Sequence, residues 1–190
     1  MKFRIATLAL ALSPLFVGHA MAMTKAEYKA TEDRIALDLK ANKARCDVLA
    51  GNTKDICQAE AKGIEKVAKA ELEARYKPSA KADFDVREAR ADALYDIAKE
   101  KCDDLAGNAK DVCEKDAKAA HVRALADAKV SKADADSADL RVEKLADAQK
   151  SAVGDKLSAD FSAAKERCNA LSGATKDSCI ADAKVRFGMR

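Results

Sequence analysis

The stretch Cys46-Asp-Val-Leu-Ala-Gly-Asn-Thr-Lys-Asp-Ile-Cys57 decides how this chain folds. It recurs as Cys102-Asp-Asp-Leu-Ala-Gly-Asn-Ala-Lys-Asp-Val-Cys113 and as Cys168-Asn-Ala-Leu-Ser-Gly-Ala-Thr-Lys-Asp-Ser-Cys179. In one continuous helix, residues eleven apart are separated by about 16 Å. A disulfide needs Cα atoms at roughly 4.4–6.8 Å, so a straight helix could not join these cysteines. The repeat therefore predicts a helical hairpin, used three times, with the cysteines facing each other beside the turn.

All six cysteines lie in these copies, and we predict three structural disulfides: Cys46–Cys57, Cys102–Cys113 and Cys168–Cys179. Closing an eleven-residue loop stabilises a hairpin by about 2–3 kcal/mol in the loop-entropy account. A redox-active pair is the first alternative, but such pairs usually have Cys-x-x-Cys spacing at a helix N-terminus. A metal site is the second, but zinc takes four ligands in closely spaced pairs. Beyond residue 22 the only histidine is His121, which we expect to be solvated, so no metal, cofactor or catalytic residue is predicted.

A glycine stands at the centre of each copy, at Gly51, Gly107 and Gly173. Glycine adopts the left-handed conformation that commonly closes the C-terminus of a helix. We therefore expect each of the three to cap the outgoing helix. In the first copy the return helix would then begin at Asn52 or Thr53.

Apolar residues follow one face of each helix that flanks the first copy, and this pattern sets a register for the hairpin. In an antiparallel pair, facing positions have residue numbers with a constant sum, which the cysteines fix at about 103. The expected pairs are Leu39 with Ile64, Ile35 with Ala68, and Tyr28 with Tyr76 at the far end.

The same rule describes the other two hairpins. In the third, it sets Phe161 against Phe187. In the second, the far-end residue Phe84 faces only Ser131, and several return positions are alanine. We therefore expect the middle hairpin to depend most on its disulfide.

The first 22 residues have the features of an export signal. Lys2 and Arg4 precede an apolar run at residues 5–17, which is short for a membrane span, and Ala20-Met21-Ala22 provides a cleavage site before Met23. Export leads to an oxidising compartment in which paired cysteines form disulfides. We predict a periplasmic protein with no transmembrane segment after signal cleavage.

The remaining 168 residues, 23–190, suit long helices with thin seams. Removing Lys2 and Arg4 from the 35 basic residues leaves 33 against 32 acidic ones, a net charge of +1. No broad basic surface for nucleic acid remains. Alanine buries little area and tryptophan is absent, so a thick core is difficult to build. Alanine, lysine, glutamate and leucine are good helix formers, which predicts an all-α fold of extended or loosely bundled hairpins.

Breaks in the pattern divide the chain. We assign residues 1–22 to the signal, 23–77 to the first hairpin, 78–130 to the second, 131–154 to a helical linker and 155–190 to the third hairpin. Pro78 ends the first hairpin because proline disfavours helix at the preceding residue. The linker is expected to continue the helix, with a kink near Gly154 and with Ser131 and Ser137 as alternative restart points.

The Cys repeat and its flanking Ala/Lys/Asp-rich helices resemble a group of small exported proteins of proteobacteria. The motif that carries the resemblance is Ala-Lys-Glu-Lys-Cys102-Asp-Asp-Leu-Ala-Gly-Asn-Ala-Lys-Asp-Val-Cys113. Some members carry a TolA-like, cell-envelope-biogenesis label. TolA proteins keep an N-terminal membrane anchor and end in a compact domain, and neither is seen here. The resemblance implies an envelope role and supplies no catalytic residue.

These features predict a non-enzymatic scaffold of the periplasm that binds an envelope protein or a cell-wall component. A holdase-type chaperone, which would shield unfolded proteins with amphipathic helix faces, is the alternative. Metal buffering through the cysteines is a third hypothesis, and self-association is left open.

Overall fold

The computed structural model describes residues 23–136 and 141–189, and there it consists of helices without strands. Six helices follow one another: α1 Lys25–Cys46, α2 Gly51–Tyr76, α3 Ala80–Cys102, α4 Gly107–Ala135, α5 Arg141–Cys168 and α6 Gly173–Phe187. The all-α prediction is confirmed. Disulfides close the hairpins α1/α2, α3/α4 and α5/α6.

The helices form a single row. Within the described ranges, each helix packs only against the helices that precede and follow it in sequence. This nearest-neighbour arrangement is typical of repeat proteins, in which stability is a sum of local terms. The three disulfide-closed turns therefore lie along one edge of the row, and the turn that joins α2 to α3 lies along the opposite edge.

Alanine fills the contacts between helices. Of the sixteen buried apolar residues in the described part, eleven are alanine, three are the cysteines Cys46, Cys102 and Cys168, and only Ile35 and Leu72 are larger aliphatics. Small side chains allow two helix backbones to approach closely, at the cost of little buried area for each residue. The thin seams expected from the composition are therefore present.

Local signals fix the ends of the first hairpin. The Thr24 amide donates to Glu27 Oε2 at 2.8 Å and the Glu27 amide donates to Thr24 Oγ1 at 3.2 Å, which completes a capping box. The hydrogen bonds to Thr24 lower the pKa of the Glu27 carboxyl. At the far end α2 stops at Tyr76, and Ser79 caps α3 by accepting from the Ala82 amide at 3.0 Å.

The region assigned to a helical linker is divided between two hairpins. Helix α4 continues to Ala135, where Asp136 takes an extended conformation, and α5 runs without interruption from Arg141 through Gly154 to Cys168. The physical reason is that α4 and α5 pack along this whole length, with Ala133 and Ala152 both buried. Of the alternative restart points, Ser131 lies inside α4 and Ser137 lies outside the described residues.

The far end of the first hairpin closes as predicted. The rings of Tyr28 and Tyr76 lie 4.7 Å apart, and the Tyr28 hydroxyl donates to Glu73. That hydrogen bond, with burial and the nearby acidic charge, raises the pKa of Tyr28 to about 12. The expected pair of Phe161 and Phe187 is not among the ring contacts of residues 23–136 and 141–189.

Phe187 lies at the very end of its helix. Helix α6 ends at Phe187, where Gly188 turns the chain with φ +66°. The Phe187 ring instead has the Arg186 guanidinium 5.6 Å from its centre.

Candidate functional site

The three disulfides have the geometry that the cysteine spacing predicted. Their Cα–Cα distances are 5.6, 5.6 and 5.8 Å, within the ordinary range. The first cysteine of each pair is almost fully buried, and no cysteine is free. The second cysteine of each pair is half-buried, and a sulfur held in a disulfide is not a free thiolate. The cysteines therefore serve the structure of the turns.

The central glycines are left-handed, but they occupy a different place from the one expected. Each of Gly51, Gly107 and Gly173 has φ of 55–57° and is the first residue of the return helix. The outgoing helices end earlier, at the cysteines, and Asp47 and Asp103 follow with right-handed dihedrals. The glycines thus set the entry angle of the return helix, which begins before Asn52 and Thr53.

The same ion pair spans the turn in the first two copies of the repeat. Lys54 Nζ lies 3.3 Å from Asp47 Oδ1, and Lys110 Nζ lies 2.7 Å from Asp103 Oδ1. The Asp103 partner raises the pKa of Lys110. The third copy has Asn169 at this position, and its side chain donates to Glu166 Oε1 at 2.9 Å instead. This pair explains why the Asp and Lys recur at fixed places in the motif.

An asparagine after the glycine links each hairpin to the next. Asn52 Nδ2 donates to the backbone carbonyl of Glu100 at 2.7 Å, and Asn108 Nδ2 donates to that of Glu166 at 3.2 Å. The third copy has Ala174 at this position. The asparagine therefore occurs in the two copies that have a further hairpin beside them in this chain.

We call the contact between α2 and α3 the first seam. Its closest approach is at Gly63, where an added Cβ would lie 2.9 Å from the Cβ of Ala93. Beside this point, two rows of side chains line a groove of about 570 Å³. The rows, at alternating steps of four and three residues, are Glu60, Ile64, Val67 and Glu71 on α2, and Arg90, Leu94 and Ile97 on α3. The α3 row continues by one more step to Lys101, which lies outside the lining of the groove.

The contact between α4 and α5, the second seam, repeats this plan with ionic side chains. Besides Lys129 with Asp155 at 4.0 Å, three ion pairs cross it: Asp116 with Arg167, Arg123 with Asp160, and Asp127 with Lys156. These residues are the repeat equivalents of Glu60 with Lys101, Val67 with Leu94, and Glu71 with Arg90. A hollow of about 520 Å³ lies at this seam, lined in part by these ionic residues. One repeat position is therefore ionic in the second seam and aliphatic in the first.

The first seam consequently exposes aliphatic side chains. Ile64 is 58% exposed and Leu94 is 69% exposed, and no equivalent cluster is present at the second seam. Glu71 and Arg90 form an ion pair at one end of the groove. The groove is therefore apolar in its middle and charged at its ends.

His121 is not solvated as expected. Its side chain is only 10% exposed, and its ring stacks on Tyr95 with 4.8 Å between ring centres. Nε2 lies 2.6 Å from Asp92 Oδ1, and Lys66 Nζ lies 2.6 Å from the other oxygen of Asp92. Since Nε2 faces a carboxylate, it donates to that carboxylate, and the buried Nδ1 has no hydrogen-bond partner in the described part of the chain.

This network joins three helices, because Lys66, Asp92 and His121 belong to α2, α3 and α4 respectively. Burial raises the pKa of the Asp92 carboxyl, but the hydrogen bonds and charges of Lys66 and His121 outweigh burial and bring it below its ordinary value. Together with the stacking of His121 on Tyr95, these contacts connect the two helices of the middle hairpin. They were not expected from the register, in which Phe84 faces only Ser131.

Two aspartates, Asp134 and Asp136, lie at the C-terminal end of α4. Asp136 pairs with Lys132 at 2.9 Å, which lowers the pKa of Asp136, and Asp134 is exposed. Residues 23–136 and 141–189 contain no group of three or more metal-ligating side chains in reach of one ion.

Comparisons with known proteins add no assignment. No family model, no curated protein and no solved structure matches the chain. Among the helices that the structure describes, none is long and apolar enough to cross a membrane.

Sequence reasoning missed both seams between hairpins. The cysteines mark only the contacts within a hairpin, so the register of the seams had no covalent reference. A signal was nevertheless present, since the rows Glu60-Ile64-Val67-Glu71 and Arg90-Leu94-Ile97-Lys101 have helical spacing and complementary charge. Applying the constant-sum rule to the middle hairpin would likewise have paired Tyr95 with His121.

Proposed function

We propose that the protein is an exported, non-enzymatic scaffold that presents a rigid row of helices to another component of the cell envelope. The observation that carries the proposal is the threefold disulfide-closed hairpin, with inter-hairpin hydrogen bonds from Asn52 and Asn108. A cross-linked row of helices with neighbour-only contacts offers a long, preorganised surface, and preorganisation lowers the entropic cost of binding.

The export signal read at residues 1–22, the cysteine pairing and the resemblance to envelope proteins support a periplasmic location. Cell fractionation with N-terminal sequencing tests it, and the expected product begins at Met23. A protein recovered from the cytosol with its first 22 residues intact would contradict the location.

The scaffold role is tested with immobilised protein and a solubilised envelope fraction. We expect saturable retention of a defined envelope protein or cell-wall fragment. The matched control is the same protein after reduction and alkylation, which loses its three cross-links and should lose most of the binding. Equal retention by the oxidised and reduced forms, or no saturable retention at all, would contradict the proposal.

A holdase-type chaperone is the second candidate, favoured by exposed aliphatic side chains such as Leu37, Ile64 and Leu94. It is distinguished by light scattering of a reduced, aggregating client protein. A holdase suppresses the scattering at near-stoichiometric concentration, whereas a scaffold for a defined partner leaves it unchanged.

A further inference from the structure

The groove of the first seam has a surface whose chemistry is self-complementary. Its floor consists of Ile64, Val67, Leu94 and Ile97, which we call the apolar quartet. At the second seam, the equivalents of Val67 and Leu94 are Arg123 and Asp160, which form an ion pair. The fold therefore accepts an ionic pair at this position, so packing within the chain does not require the exposed aliphatic residues of the first seam.

The charges around the apolar quartet are sorted by helix. Glu60 and Glu71 stand at the two ends of the α2 row, and Arg90 and Lys101 stand at the two ends of the α3 row. One edge of the surface is therefore acidic along its length, and the opposite edge is basic.

We propose that two copies of this protein pair through their apolar quartets about a two-fold axis parallel to α2 and α3. Such an axis places α2 of one copy opposite α3 of the other. Glu60 then faces Lys101 of the second copy. The Glu71–Arg90 ion pair of one copy faces the same pair of the second copy in the opposite order, so that acid again lies opposite base. A two-fold axis perpendicular to the helices would instead set acid against acid and base against base, which electrostatics disfavours.

The pairing gives the first seam the second layer that it lacks. Helices α2 and α3 are antiparallel within a copy, and each is also antiparallel to the helix that it faces across the axis. The result is a four-helix bundle in which neighbours alternate in direction, with eight aliphatic side chains in its centre. Two packed layers around one apolar core are the usual condition for a stable helical domain.

The available area suits a reversible dimer. Helix α3 has 23 residues and would overlap α2 for about 35 Å, and two helices side by side are about 18 Å wide. Each copy then contributes about 600 Å², or about 1,200 Å² in total, at the lower limit of standard interfaces. The expected dimer therefore dissociates on dilution.

The first test measures molar mass against concentration by sedimentation equilibrium, with the full chain expressed for export and processed by the cell. The wild type is expected to double its mass as concentration rises. The Val67→Arg/Leu94→Asp variant copies the Arg123–Asp160 pair of the second seam into the first, so it should fold and remain a monomer. Leu37→Asp, at a leucine of α1 that is 67% exposed, is the matched control and should still dimerise.

The second test examines the charge pattern. Arg90→Glu/Lys101→Glu makes both edges acidic, and Glu60→Lys/Glu71→Lys makes both edges basic. Each variant alone is expected to be monomeric, and an equimolar mixture should form a heterodimer. Carbodiimide cross-linking of mixed isotopically light and heavy wild-type copies should join Glu60 of one copy to Lys101 of the other.

Circular dichroism and thiol counting establish that each variant is folded and oxidised. A wild type that stays monomeric up to about 1 mM would overturn the proposal. So would a Val67→Arg/Leu94→Asp variant that still dimerises, or charge variants that fail to associate when mixed. A monomeric wild type that binds an amphipathic helical peptide would assign the groove to a different protein. The scaffold proposal does not depend on these results, since it is tested with an envelope fraction.

Discussion

The close approach of α2 and α3 at Gly63 provides a quantitative test of how the first seam is built. A Cβ added at Gly63 would lie 2.9 Å from the Cβ of Ala93, closer than real Cβ atoms come, and the Ala93 Cα is only 3.6 Å away. The atoms that it meets belong to a helix and cannot rotate aside. Gly63→Ala must therefore push the two helices apart.

Two opposing effects set the magnitude. Replacing glycine by alanine inside a helix stabilises it by about 1 kcal/mol. Overpacking a close contact costs about 1–3 kcal/mol. We expect Gly63→Ala to lower the free energy of unfolding by about 1 kcal/mol.

Gly154 is the matched control, because it lies inside α5 with nothing within 4 Å of its added Cβ. Gly154→Ala should raise the free energy of unfolding by about 1 kcal/mol, which leaves a gap of about 2 kcal/mol between the two variants. Guanidinium unfolding followed by far-ultraviolet circular dichroism measures both, since the chain has no tryptophan to report by fluorescence. The comparison uses midpoints at equal slope.

A second substitution assigns the effect to the contact itself. Ala93→Gly removes the methyl group on the opposite side, so it should relieve most of the overpacking in a Gly63→Ala background. A double-mutant cycle should give a favourable coupling of about 1–2 kcal/mol. If Gly63→Ala proved as stabilising as Gly154→Ala, or the coupling were near zero, the close approach of the helices would be refuted.

Three further predictions concern single side chains. Because its partners lower the pKa of Asp92, its ion pairs stabilise the fold above about pH 4 and are lost as pH falls through the lowered pKa. The difference in Tm between wild type and Asp92→Asn should be present at pH 6 and should shrink as pH falls through the lowered pKa, and an undiminished difference in acid would contradict this. Because the pKa of Tyr28 is raised to about 12, its neutral hydroxyl stabilises the fold below about pH 10, and this contribution is lost as pH approaches 12. In a pH titration followed by tyrosinate absorbance, one tyrosine should ionise at higher pH than the others, and Tyr28→Phe should remove that step. If the step remained in Tyr28→Phe, it would belong to another tyrosine. Asn108→Ala should lower the free energy of unfolding in guanidinium by about 1 kcal/mol, because the hydrogen bond to the Glu166 carbonyl is lost. Ala174→Asn should leave the free energy of unfolding unchanged, and equal effects of the two substitutions would refute the linking role of Asn108.

The sequence was sufficient to predict the hairpins, because a disulfide imposes a distance that only one local architecture satisfies. Eleven-residue spacing excluded a straight helix, and the constant-sum register then placed Tyr28 against Tyr76 correctly. Helix ends were less accurate. Gly51 was assigned to the end of α1, although glycine in the left-handed conformation can equally begin the next helix, as it does here.

The environment of His121 could not be read from its own helix. The residues before it are Lys118, Ala119 and Ala120, which gave no indication of a buried position. The residues that bury it, Tyr95 and Asp92, lie on α3. Their contact with His121 can be predicted only from the register of the middle hairpin. The extent of the third hairpin was likewise hidden, because the packing of Ala133 and Ala152 is a property of the second seam.

These contacts bear on which hairpin is expected to depend most on its disulfide. The sequence singled out the middle hairpin, because Phe84 faces only Ser131. In the structure the middle hairpin has a seam on both sides, and the bonds among Lys66, Asp92 and His121 connect it to α2. The first and third hairpins each border one seam. Since stability in such a row is a sum of the contributions of each hairpin and its adjoining seams, we expect the disulfides of the first and third hairpins to carry the larger share of their own hairpins' stability.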